Sequence, residues 1–293
     1  MPRGLIPRQP TKSGRQDRVG AGRGGRLSIS PSAPKSPRLR AAVLPGACKK
    51  AAKPINAGAI KPGKAPKGYN PLAPQRIAEI LSRLQARYPG ATCALHHRNA
   101  WELLVATILS AQSTDVRVNM VTPELFRKYP TLQDFAALKP EQLEPDLYST
   151  GFYRNKSKAV VGAARKIMSD FGGQVPSDMD SLLTLPGVAR KTANVVLGTW
   201  FGKNEGVVVD THVYRISHRL ELSKQQVPEK VEQDLMKVIP RDKWTIFSHA
   251  VILHGRALCI ARKPKCVDCP LEDICHAADK TWSTVDIHED AKP

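Results

Sequence analysis

Leu183-Thr184-Leu185-Pro186-Gly187-Val188-Ala189-Arg190-Lys191-Thr192 reads as the end of one helix, a small turn and the start of a second helix rich in Ala and Val. Pro186 and Gly187 supply the break, because proline cannot continue a helix and glycine accepts backbone angles that other residues resist. A turn of this kind leaves the first N–H groups of the second helix exposed. Aided by the helix dipole, they can hold one phosphate of a nucleic-acid backbone without reading any base. Gly187 lets the chain approach such an anion closely. An ordinary αα-hairpin would account for Pro-Gly equally well, but would not require Arg190-Lys191 at the mouth.

Outward from the hairpin, apolar residues recur at helical intervals. Ile77, Ile80, Leu81, Leu84 and Tyr88 mark one helix, ended by Pro89-Gly90. Asn99 followed by Glu102 resembles a capping box, and the next helix would bury Trp101, Leu104, Val105, Ile108 and Leu109. Further helices are predicted over 114–128, 155–171, 178–184, 189–201, 211–220, 228–238 and 243–258, most bounded by Gly, Pro, Ser or Thr. Val207-Val208-Val209 is the one strand-like run and is too short to build a sheet. The predicted fold class is all-α, with no repeat of fixed period.

Charge narrows the partners. The chain of 293 residues carries 45 Lys and Arg against 26 Asp and Glu, a formal net charge of +19, which points to a polyanion, nucleic acid before a membrane surface. No stretch approaches the roughly 18 consecutive apolar residues of a bilayer span. Residues 1–70 hold 16 of the basic side chains with one acid, Asp17, and contain ten Pro, ten Gly and a single aromatic, Tyr69. Such a composition lacks the apolar area that offsets chain entropy, so 1–70 is expected to be a disordered basic tail. It reads equally as an electrostatic arm and as a solvated extension. Its Arg- and Ser-rich start also resembles an organelle transit segment, although the Pro and Gly density argues against an amphipathic helix.

Four of the six cysteines, Cys259, Cys266, Cys269 and Cys275, are spaced C-x6-C-x2-C-x5-C. They are too few for a disulfide scaffold and suit a metal site in a reducing compartment. By count, four thiolates serve tetrahedral Zn and an iron–sulfur cluster alike, and the spacing favours the cluster. Cys48 and Cys93 fall outside the pattern and are expected to be free thiols without function.

The run Leu185-Pro186-Gly187-Val188-Ala189-Arg190-Lys191-Thr192-Ala193-Asn194-Val195-Val196 resembles the helix–hairpin–helix of the endonuclease III family of DNA glycosylases. The resemblance extends from about residue 74 to 278 and includes Leu109-Ser-Ala-Gln-Ser-Thr-Asp115, Val209-Asp-Thr-His-Val213 and the cysteine cluster. Ala189 departs from a pattern that often has a second glycine there, a change of one methyl group. The resemblance implies a two-lobed fold, with a six-helix domain over 93–203 and an iron–sulfur cluster domain made of 71–92 and 204–285, followed by a short tail, 286–293. It implies a [4Fe-4S] cluster on the four cysteines, whose loop Arg262-Lys263-Pro264-Lys265 could touch phosphates.

The implied activity is removal of oxidised pyrimidines from duplex DNA and cleavage 3′ to abasic sites, by a monomer in the bacterial cytoplasm, associated with the nucleoid. Organelle targeting by the tail stays open. Lys191 would be the nucleophile, since an uncharged amine can attack the sugar carbon C1′ and form a Schiff base. Its place in the first helical turn favours loss of the proton, through the helix dipole and through desolvation by bound DNA. Asp210 would accept a proton and offset charge developing on the sugar. Each has a plainer reading, Asp210 as a helix cap and Lys191 as a solvated charge. Gln112 and Phe152 would fill the gap left by an everted nucleotide; a solvated loop and core packing are their respective alternatives. Gly187, Ala189 and His212 complete the expected DNA contacts. Two other readings fit part of the pattern. An adenine-mismatch glycosylase of the same fold lacks the lysine and carries a further C-terminal domain, whereas here the chain ends 18 residues after Cys275. A non-catalytic iron–sulfur DNA-binding protein is the second.

Overall fold

The computed structural model describes residues 68–281. The expected tails lie almost wholly outside that span, as does Cys48. Tyr69, assigned to the tail by composition, belongs instead to the folded body: its hydroxyl donates to Glu221 at 2.9 Å and its ring meets His276 edge-on at 4.5 Å.

The described residues are helical and contain no strand. The elements are α1 (Pro74–Arg87), α2 (Ala100–Leu109), α3 (Asp115–Lys128), α4 (Leu132–Ala137), α5 (Pro140–Leu147), α6 (Tyr153–Asp170), α7 (Met179–Leu183), α8 (Arg190–Thr199), α9 (Thr211–Arg219), α10 (Pro228–Val238) and α11 (Trp244–Ala257). Helix boundaries follow the local chemistry. Asn99 accepts from the Glu102 amide at 2.8 Å, as its spacing suggested; the Glu102 carboxylate, however, reaches back to the Arg98 amide rather than to Asn99. Periodicity missed α4 and α5. One has only six residues and is fixed by a Thr131–Asp134 capping box, and the other carries Pro140 at its first turn and Pro145 within it.

Apolar side chains divide into two cores. The first gathers α2 to α8, with α2 at its centre. A single buried stripe was expected on α2, but every residue from Trp101 to Leu109 is buried, as for a helix wrapped on all sides. The second core joins α1, α9, α10 and α11 with Leu271 of the cysteine loop. Val207-Val208-Val209 forms no strand; it is an extended connection whose alternate side chains enter different cores, Val208 the first and Val207 and Val209 the second. Its backbone is held by the Ser248 hydroxyl, which accepts from the Val208 amide at 3.0 Å. The residue that follows, Asp210, is thereby suspended at the boundary between the lobes.

Candidate functional site

The hairpin between α7 and α8 is anchored by Leu185 and Val188, both buried. Gly187 has φ +76°, and a Cβ there would come within 2.5 Å of the Ala159 methyl on α6. Close packing therefore requires the glycine independently of any anion. Ala189 is the N-cap of α8 in extended conformation, and no side chain caps the helix. The opening amides of α8 are left available to an outside acceptor.

Arg190 and Lys191 part company. Arg190 turns back to the second lobe, where its guanidinium meets the buried Glu232 at 3.1 Å and the Glu205 carbonyl at 3.2 Å, and Asn194 donates to the same carboxylate at 2.9 Å. It does not stand at the hairpin mouth. Lys191 is exposed, and among the described residues it makes neither a hydrogen bond nor an ion pair.

Lys191 opens into a cleft of about 110 Å³ whose walls also include Asp210, Asp115, His249, Arg256 and Cys93. Asp210 is the N-cap of α9, its Oδ1 accepting from the His212 and Val213 amides at 2.8 Å each. The plainer reading of Asp210 as a cap thus holds together with its place in the cleft. Lys191 and Asp210 face the same space without forming an ion pair. Arg256 and Asp115 pair at 2.6 Å, joining the end of α11 to the start of α3 across the lobes. Sequence reading gave neither cleft residue a role: Asp115 entered only as the last residue of the Leu109–Asp115 motif, and nothing marked Arg256. Cys93, expected to be an idle thiol, lines the cleft, and burial pushes its thiol up.

The remaining expected contacts lie at different places. Gln112 is exposed with φ +53°, and Phe152 is 60% exposed with φ +49°, which excludes core packing for the latter. Left-handed backbone at two non-glycine loop residues is strain of the kind that gathers at functional sites. The His212 ring is half-buried against Gly255, with Nδ1 3.2 Å from Arg215 Nη2, and burial pushes its pKa down. His212 is outside the cleft lining.

Cys259, Cys266, Cys269 and Cys275 line one cavity with Leu258, Pro264 and Ala277. Among the described residues no three His, Cys, Asp or Glu side chains converge on the position of a single metal ion. Four thiols lining one cavity supply the donor set that an iron–sulfur cluster requires. Burial pushes the Cys269 thiol up to about 12 and raises Cys259 and Cys275 as well, so thiolates there need cationic neighbours. Arg219 is one, donating to Cys259 Sγ at 3.2 Å. The iron of a bound cluster would supply the rest, and the donor set fits it. Arg262, Lys263 and Lys265 are exposed on the loop between the first two cysteines.

Comparison with known proteins accords with this geometry. Residues 105–241 match the model of the HhH-GPD superfamily base excision DNA repair protein, and residues 259–275 match that of the iron-sulfur binding domain of endonuclease III. Endonuclease III of Synechocystis sp. is 55% identical over 204 residues, covering 70% of this chain and 93% of that protein. A solved non-covalent endonuclease III–DNA complex matches with TM-score 0.66 and 45% identity, over 69% of this chain and 95% of that one. A trapped endonuclease III–DNA covalent intermediate matches with TM-score 0.66 and 44% identity over the same shares. The cofactor of the four-cysteine site is accordingly a [4Fe-4S] cluster. With hairpin, cleft, cysteine cavity and sequence all in agreement, the chain belongs to the endonuclease III family and is a DNA-binding glycosylase and AP lyase of base excision repair.

Proposed function

We propose that Lys191 and Asp210 carry the chemistry, acting on damaged pyrimidines and abasic sites in duplex DNA. The observation that carries this reading is that the two side chains, delivered by different lobes, open into one cleft. Lys191 Nζ attacks C1′ as the damaged base departs with the glycosidic electron pair. Asp210 accepts the proton shed by the attacking nitrogen and offsets positive charge on the sugar. Opening of the C1′–O4′ bond gives the imine, which acidifies the C2′ proton; its loss expels the 3′ phosphate ester.

The opening amides of α8, together with Gly187 and Ala189, hold a backbone phosphate beside the reacting sugar. Gln112 and Phe152 enter the duplex where the nucleotide leaves, their exposure and left-handed backbone supporting that role. His212, beside Asp210 in the first turn of α9, is a further DNA contact at the same helix start. We assign residues 93–203 to a hairpin-bearing domain and 71–92 with 204–285 to a cluster domain. The cluster shapes the loop that presents Arg262, Lys263 and Lys265 to DNA. A single chain supplies both halves of the cleft, which supports a monomer. The charge of +19 supports residence among nucleic acid in the bacterial cytoplasm. Among the described residues no helix is long and apolar enough to cross a membrane.

Borohydride reduction during turnover on an abasic duplex tests the assignment. The native chain should become covalently joined to DNA, whereas Lys191→Gln should bind and leave the strand intact. Efficient trapping of the Lys191→Gln variant would show that another nucleophile acts.

A further inference from the structure

Lys156 is a buried amine with no part in the chemistry above. It lies on α6, one turn beyond Phe152, and is only 4% exposed. Among the described residues no carboxylate pairs with it, and its Nζ donates to a single acceptor, the Thr150 carbonyl, at 2.8 Å. Burying an ammonium is costly, and burial pushes this one down from its ordinary value. Such a group is retained in a core where what it holds is worth the cost.

What it holds is the loop that carries Phe152. Thr150 ends a short 3-10 helix that continues α5, so its carbonyl lies at the negative end of the helical segment, where a cation is favoured. Gly151 and Phe152 follow at φ +69° and +49°, two successive residues in the left-handed region. The Lys156 amide donates to the Phe152 carbonyl at 3.1 Å, and the Thr150 hydroxyl donates to the Leu147 carbonyl at 2.8 Å. The turn, whose strain falls on Phe152, is thus tied at both ends, on one side by the Lys156 amine and on the other by its backbone. Released from the amine, the loop can relax, and the exposed phenyl ring loses its fixed direction.

We propose that Lys156 is a positioning residue that locks the 150–152 loop so that Phe152 is held ready for insertion into DNA. The proposal rests on the reading of Phe152 as the inserted side chain. A duplex carrying an abasic site, with 2-aminopurine as the opposing base, reports insertion by fluorescence and strand cleavage by single-turnover kinetics. Lys156→Met should lose most of the fluorescence change and slow cleavage about tenfold, within the range that misplacement of about 1 Å can produce. Lys156→Arg, which keeps a charged donor, should recover most of both. In a Phe152→Ala background, Lys156→Met should cost less than a further twofold, because the two act through one ring.

An unchanged fluorescence signal in a folded Lys156→Met protein overturns the proposal, as do losses that multiply in the double variant. If Phe152→Ala alone leaves the signal intact, the insertion reading fails and this one falls with it. Should the methionine variant not fold, Lys156→Gln carries the same comparison.

Discussion

The two lobes are held together by different means. In the first, four helix starts are capped by side chains, at Asn99, Thr114, Thr131 and Asp178, and every residue of α2 from Trp101 to Leu109 is buried. In the second, the cysteine loop has no regular helix, and arginines from α1 and α9 gather its carbonyls. Arg76 donates to the Ile274 carbonyl at 2.9 Å, Arg83 to that of Pro270 at 2.9 Å, Arg215 to that of Cys259 at 2.8 Å and Arg219 to that of Ile260 at 2.7 Å. The first lobe is held chiefly by apolar packing around α2. The second has an apolar core of its own among α1, α9, α10 and α11, but its cysteine loop adds only Leu271 to the fully buried apolar core and is otherwise fastened by these arginines and by the cluster's ligands, so the order of that loop is tied to the cofactor.

Removing a ligand attacks the difference most severely. Cys269→Ala should abolish the visible absorbance of the cluster and make residues 258–281 rapidly cleavable by protease, while fragments spanning 93–203 stay resistant. Equal proteolysis of both lobes would erase the distinction. Leu104→Ala, at a fully buried position of α2, should cost roughly 2–5 kcal/mol of stability in denaturant unfolding. Because the defect lies in the other core, iron should be retained in the folded protein.

Arg219→Met has a smaller expected effect, about 2 kcal/mol, from loss of charge-assisted hydrogen bonds at a largely buried site. It should act the other way round from Leu104→Ala, accelerating iron release to a chelator severalfold while leaving the first lobe's protection against hydrogen exchange unaltered.

The seam between the lobes contributes the smallest effect. His249 of α11 contacts the Thr199 hydroxyl at 3.3 Å, and burial pushes its pKa below 6.5. The unfolded chain takes up this proton near 6.5 and the folded chain does not, so stability falls as pH drops through 6.5 toward the lower folded value. His249→Gln should make the slope of unfolding free energy against pH shallower between pH 5 and 7. An unchanged slope would remove His249 from that account.

How far the sequence could be read follows the same division. Features fixed by local chemistry were legible: the hairpin at Pro186-Gly187, the Asn99 cap, the four-cysteine spacing and Asp210 at a helix start. Features fixed by distant partners were not. Nothing near Arg190 announces that it turns to Glu232, 42 positions on, and nothing near Asp115 announces Arg256, 141 positions on. Lys156 reads as one more basic residue in the run Arg154-Asn155-Lys156-Ser157-Lys158, and only packing reveals that it is buried. Helices α4 and α5 were missed because capping and tertiary contact with α6, rather than a sustained apolar period, fix them.

The meeting of the two lobes at one sugar is the claim on which the enzymatic account depends, and peptide mapping of the borohydride-reduced DNA adduct tests it most directly. The account predicts that the modified peptide carries the nucleotide on Lys191, and that Asp210→Asn still yields that adduct but more slowly. A nucleotide found on any other residue, or an adduct formed at full rate without the Asp210 carboxylate, would contradict it.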